Sequence, residues 1–222
     1  TFNVKNYNYI YFSMSIDNLP KIIPIFPLNG ALLLPQGNLP LNIFEPRYLS
    51  MIDYAMKNEK MIGMIQKNNK SGENDELYST GCLGKINQYS ETNDGRYLIN
   101  LIGVTRFKFV QEINTEEKFR KLEVNYLDFK EDFNNNFENC FDKEIFLNEV
   151  KNYLQKNKIE VDWQLMQNVD NTLLITTLAS ICPFTIAEKQ MIIECPNTDD
   201  IPQTLLNLFK MSDQSIESKS AN

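Results

Sequence analysis

A chain of 222 residues, 42% hydrophobic and 23% charged, is long enough to bury a sizeable core without help from a metal or a disulfide. Its net charge of −7 at pH 7 speaks against a phosphate-backbone partner, and its complete lack of histidine excludes Ser-His-Asp and Cys-His nucleophilic sites and imidazole-bound zinc. Cys82, Cys140, Cys182 and Cys195 have no C-x-x-C spacing, so they read as small buried hydrophobes of a reducing, cytoplasmic compartment.

The first residues, "TFNVKNYNYIYF", lack the basic head and apolar stretch of a signal peptide, and no run approaches the length of a membrane span. The chain begins with Thr1, which makes Met14 a candidate start and 1–19 an N-terminal extension without predicted order. "KIIPIFPL" (21–28) is short and β-branched, and Pro24 and Pro27 mark it as an edge strand. Turn residues at Asn29-Gly30 and Gln36-Gly37-Asn38 surround another extended piece. Pro46 suits the first turn of a helix, Glu45 its positive end, and Tyr48, Ile52, Ala55 and Met56 form an apolar face ending near Asn58.

The period then becomes two. "KMIGMIQK" (60–67) reads as a strand and "NNKSGENDE" (68–76) as a solvated loop. "GCLGKINQYSE" and "GRYLINLIGVTRFKFVQEI" flank Asp94-Gly95, a hairpin signal of the type I′ kind. In "RKLEVNYLDF" (120–129), Leu122, Val124 and Tyr126 alternate with Glu123 and Asn125, as in a half-buried strand. The polar run "KEDFNNNFEN" (130–139) marks a boundary, after which the period is helical. One helix is predicted from Asp142 to about Lys156, and two more before Pro183. Another opens at a Thr185–Glu188 capping box, and a last amphipathic one precedes a polar tail expected to fray. The expected division is 20–130 β-rich, 131–211 helical and 212–222 tail.

Tests for chemistry are mostly negative. There is no Walker A loop, G-x-S-x-G elbow, G-x-G-x-x-G fingerprint or EF-hand loop. Acid groups such as "ENDE" and Asp199-Asp200 read as solvated surface or a helix cap rather than metal sites. Catalytic, cofactor and metal residues are therefore all predicted to be absent. An enzyme working through carboxylates or a cysteine is the only catalytic alternative left.

"IPIFPLNGALLLPQGNLPLNIFEPRYLSMIDYAM" resembles the N-terminal, substrate-binding domain of the ATP-dependent Lon proteases and of stand-alone bacterial proteins built on it. "GCLGKI", "DGRYLINLIGVTRFKF" and "EKQMIIE" extend the resemblance, which runs from about Pro20 to Lys210. Its motif residues are Pro40, Phe44, Glu45, Pro46, Arg47 and Tyr48, with Gly103, Arg106 and Phe107 in the later "G..RF" signature. The resemblance implies an α+β fold, a β-rich PUA-like pseudo-barrel followed by a C-terminal helical bundle, and a structural role for those residues. Leu39, Leu41, Ile43 and Phe44 are then expected to run into the core, and Glu45 and Arg47 to tie helix to barrel with Arg106 as a neighbour. It implies no ATPase or peptidase activity for these residues, since neither motif set is present. The reading that follows is a non-enzymatic, cytoplasmic module that needs no cofactor, touches no membrane and acts in protein quality control. Its partner is unfolded or damaged polypeptide, or one specific protein. The alternative is an RNA-binding PUA-like module, because PUA-like folds elsewhere bind RNA.

Overall fold

A computed structural model describes residues 15–68, 76–133 and 137–220, with side chains described as far as Ser212. The strands are β1 (Ile22–Pro27), β2 (Asn38–Ile43), β3 (Met61–Ile65), β4 (Thr80–Glu91), β5 (Tyr97–Ile113) and β6 (Lys121–Asn125). Helix α1 (Pro46–Lys57) lies between β2 and β3. The rest is helical: a 3-10 segment (Leu127–Phe133), α2 (Lys143–Lys156), α3 (Trp163–Asn168), α4 (Asn171–Ile181), α5 (Ile186–Ile193), a 3-10 turn (Thr198–Asp200) and α6 (Ile201–Ser220). Of the expected 1–19 extension, residues 1–14 fall outside the described residues, as does most of the 68–76 loop. Ile16–Asn18 form a 3-10 turn and Leu19 is buried, so the end of that extension is ordered.

The α+β order is as expected, but the pseudo-barrel is not what the strands form. They make one mixed six-stranded sheet, ordered β2-β5-β4-β3-β1-β6, with β1 and β3 parallel. The reason lies in the 17-residue β5. One edge pairs with β4, while the other is divided between β2, along residues 97–102, and β6, along 108–113. β2 is left with β5 as its one partner, and β1 and β5 each change neighbours along their length, so the strands are not evenly paired around a ring. The stretch between is bridged by a loop: Gln36 N–H donates to the Gly103 carbonyl and Gly103 N–H to the Gly37 carbonyl, each at 2.9 Å. Gly103 has to be glycine there, since a Cβ would stand 2.0 Å from the Leu34 oxygen.

β1 also departs from expectation, since it lies inside the sheet rather than at its edge. Its first half pairs with β6 (Ile22 to Pro24) and its second with β3 (Ile25 to Pro27). Each half has one strand partner, so each proline can turn its donorless nitrogen to the unpaired side. The β4–β5 hairpin forms, but across a wider turn than type I′. Gly95 N–H donates to the Thr92 carbonyl, and of the Asp94-Gly95 pair Gly95 alone has positive φ.

Two apolar clusters sandwich the curled sheet. The smaller joins Ile23, Ile25, Leu83, Val104, Phe107 and Leu122. The larger lies between the other face and the helices, and draws Leu33, Ile52 and Leu101 together with Phe146, Leu154, Ile175 and Leu205. β3 supplies both, Met61 and Ile65 to one and Ile62 and Met64 to the other, which explains its unbroken burial. Asp142 caps α2, and the Thr185–Glu188 capping box opens α5. No helix is long and apolar enough to cross a membrane among the described residues.

Candidate functional site

The motif residues divide into a buried group and an exposed one. Arg106 points from β5 into a nearly dry site, 1% exposed against 0% for Asp132. Its Nη2 lies 2.7 Å from Asp132 Oδ1 and its Nε 3.1 Å from Oδ2. Nη1 donates to the carbonyls of Ile193 and Cys195 at 3.2 and 2.5 Å, and Nη2 also to Thr198 Oγ1. All five guanidinium donors are thus used. Asp132 in turn accepts the Arg106 backbone N–H at 2.8 Å and the Thr198 hydroxyl at 2.9 Å. The carboxylate takes the place of a neighbouring strand at the point where β5 lacks one.

This clasp fastens sheet to helices, because Ile193 ends α5 and Thr198 begins the turn into α6. Two further buried polar contacts do the same. Lys189 donates to the Gly30 and Ser180 carbonyls, and burial holds its pKa below the usual lysine value. The Gln66 amide bonds the Ile186 carbonyl and Gln190, which reaches the Thr80 carbonyl.

Arg106 is therefore not a neighbour of Glu45 and Arg47. Those two pair with each other at 2.9 Å, half exposed, so the expected tie between helix and sheet is a local contact. Tyr48 makes the tie instead: its buried ring lies 4.2 Å from that of Phe26 in β1, with the Arg47 guanidinium over it at 4.5 Å. Pro46 opens α1 and Phe107 is fully buried in the smaller core.

Phe44 does not enter the core. It is 62% exposed, whereas Leu39 and Ile43 are buried. Register explains this: Leu39, Leu41 and Ile43 face inward with Leu101, Ile99 and Tyr97, which leaves the outer face to Asn38, Pro40 and Asn42. Phe44 continues the outer row beside Arg96, whose guanidinium lies 5.9 Å from its ring centroid. Leu98, opposite Asn42, is 44% exposed on the same face. The rest of this face, Pro40, Asn42, Gln88, Ser90 and Asn100, carries no charge. Pro40 also turns its nitrogen away from β5, which removes a donor from the outer edge of β2 and blunts it against strand addition.

The thiols are not poised for catalysis. Burial pushes Cys182 up to about 12 and raises Cys82 and Cys195, the opposite of an activated nucleophile. Among the described residues no group of three or more acids and cysteines could hold a metal ion. Sequence reasoning missed Asp132, Lys189 and the Gln66–Gln190 pair, none of which stands in a recognisable motif.

A two-layer domain that shows Phe44 and Leu98 on an open sheet face, and whose buried Arg106–Asp132 pair is fully bonded within the fold, has the make-up of a binding domain. Residues 22–208 match the family model described as the ATP-dependent protease La (LON) substrate-binding domain, and the chain belongs to that family. It is 25% identical over 218 residues to Lon protease 1 of Hydrogenovibrio crunogenus, covering 93% of this chain and 26% of that protein. It is 25% identical over 204 residues to the Lon protease of Campylobacter jejuni, covering 91% and 25%. The chain thus spans about a quarter of the length of these relatives. Among solved structures, the N-terminal domain of Mycobacterium avium complex Lon protease superposes with a TM-score of 0.62 at 15% identity, covering 86% of this chain and 98% of that one. A Lon N-terminal domain protein from Xanthomonas campestris gives 0.58 at 19% identity, with 86% and 98% covered. Both of these solved structures are N-terminal domains of Lon proteins.

Proposed function

We propose that this domain binds segments of other polypeptides, unfolded or damaged chains above all, and serves protein quality control in the cytoplasm. The observation that carries the reading is Phe44. It lies within the region that matches the substrate-binding family, yet it stands in solvent on the sheet face that carries Leu98, with Arg96 beside it. Phe44, just past the end of β2, and Leu98 stand on one face of the sheet, and neighbouring apolar side chains are what a partner's anchor residues cover. On this reading the sheet-bearing part, about 20–130, presents the contact face, and the helices of 131–211 support it through the Arg106 clasp. Four free cysteines, three of them buried, suit a reducing compartment. The RNA alternative rested on the pseudo-barrel that the sheet order overturns, and the net charge of −7 opposes it.

Fluorescence anisotropy with labelled unfolded casein and a labelled RNA oligomer, each at low and moderate salt, tests this. Salt-tolerant binding of casein alone is the expected result. Salt-sensitive binding of RNA alone overturns it.

A further inference from the structure

A second surface lies on the helical layer. Where α2 ends, Gln155, Lys158, Ile159, Glu160, Val161 and Trp163 line an open cleft of about 480 Å³. Ile159, Val161 and Trp163 rest on the large core by their inner sides. The chain's single tryptophan is therefore half-buried, with Lys151 Nζ 5.9 Å from its ring centroid.

The turn that shapes the cleft carries an anomaly. Ile159 N–H donates to the Leu154 carbonyl and Lys158 N–H to that of Gln155, the paired bonds of a Schellman motif. The left-handed position in that motif is normally glycine, yet here Lys158 holds a φ of +56°. A glycine would relieve the backbone, and what the lysine adds is an ammonium at the rim. The surrounding charge points the same way. Neither Lys151 nor Lys158 pairs with a carboxylate among the described residues. Asp162 is occupied in capping α3, its Oδ1 accepting from Gln164 and Leu165 N–H at 3.0 and 3.1 Å, which leaves Glu160 as the one acid of the lining. Two unpaired ammonium groups about an aromatic floor are unusual on a chain of net charge −7.

We infer that this cleft is a specificity subsite for an extended peptide segment in which an aromatic or aliphatic side chain stands next to a carboxylate. The apolar side chain lies against Trp163, Ile159 and Val161, and the carboxylate meets Lys158. The inference rests on the polypeptide-binding reading above, to which it adds a sequence preference.

Trp163 is its own reporter. The full chain would be titrated with a blocked hexapeptide that pairs phenylalanine with aspartate and holds no tryptophan or tyrosine, beside the same peptide with lysine for aspartate. The expected result is a saturable change in tryptophan emission with the acidic peptide, weakened roughly fivefold by lysine in the peptide or by Lys158→Glu. Lys158→Gly should melt at or above the parent temperature and yet bind the acidic peptide more weakly, which a purely structural role for the lysine would not produce. No emission change, or equal affinity for both peptides, overturns the subsite. Casein bound with the acidic peptide ignored sinks the subsite and leaves the function standing. Acidic peptide bound with casein ignored keeps the subsite and overturns the general unfolded-chain reading.

Discussion

Two arginine–carboxylate pairs in this molecule have similar separations, 2.7 Å for Arg106–Asp132 and 2.9 Å for Arg47–Glu45, and opposite surroundings. The first is dry, fully bonded and ties the sheet to the helical layer. The second is half exposed and joins residues two apart in the chain. Coulomb attraction alone does not separate them. Desolvation does, because a buried charge deprived of its partner is left with no water to replace it. Both arginines sit in stretches that resemble the family's motifs, so the resemblance alone does not reveal which of them holds the fold.

Ending the chain after residue 130 is the harshest way to break this contrast. It removes Asp132, the Ile193 and Cys195 carbonyls and half the larger core, so the remaining strands should show no cooperative unfolding transition. Arg106→Ala or Asp132→Ala should each cost about 3–5 kcal/mol in denaturant unfolding. An apolar pair, Arg106→Met with Asp132→Leu, should lose less than the two singles together, which a double-mutant cycle would read. Gly103→Ala forces the Leu34–Gly37 loop away from β5 and should cost about 1–3 kcal/mol or more. Thr185→Ala removes the capping box of α5 for about 1 kcal/mol. Arg47→Ala should change stability by less than about 1 kcal/mol. If Arg47→Ala proved as damaging as Arg106→Ala, burial would not be what distinguishes the pairs.

Much of the layering was legible in the sequence. Period-two runs located β3 to β6, and the Thr185–Glu188 box marked the start of α5 to the residue. Local signals failed where the cause was tertiary. The prolines of β1 pointed to an edge, because nothing in "KIIPIFPL" reveals that its two halves have different neighbours. Asp132 lay hidden in "KEDFNNNFEN", a run whose polarity reads as solvated boundary although it holds a fully buried carboxylate. Phe44 is the instructive case. Alternation had already put Leu39, Leu41 and Ile43 on one face, which sends residue 44 to the other. The resemblance implies burial for it as well, against the period, and the period decides.

The central claim is that the motif serves two ends, a buried clasp that builds the domain and an exposed face that binds. The most direct test is casein anisotropy with the Phe44→Ser, Leu98→Ser double variant, with thermal unfolding followed on the same sample. The account predicts parent-like melting, to within about 0.5 kcal/mol per surface substitution, and casein affinity reduced about tenfold or more. Parent-like melting with undiminished casein binding would contradict it.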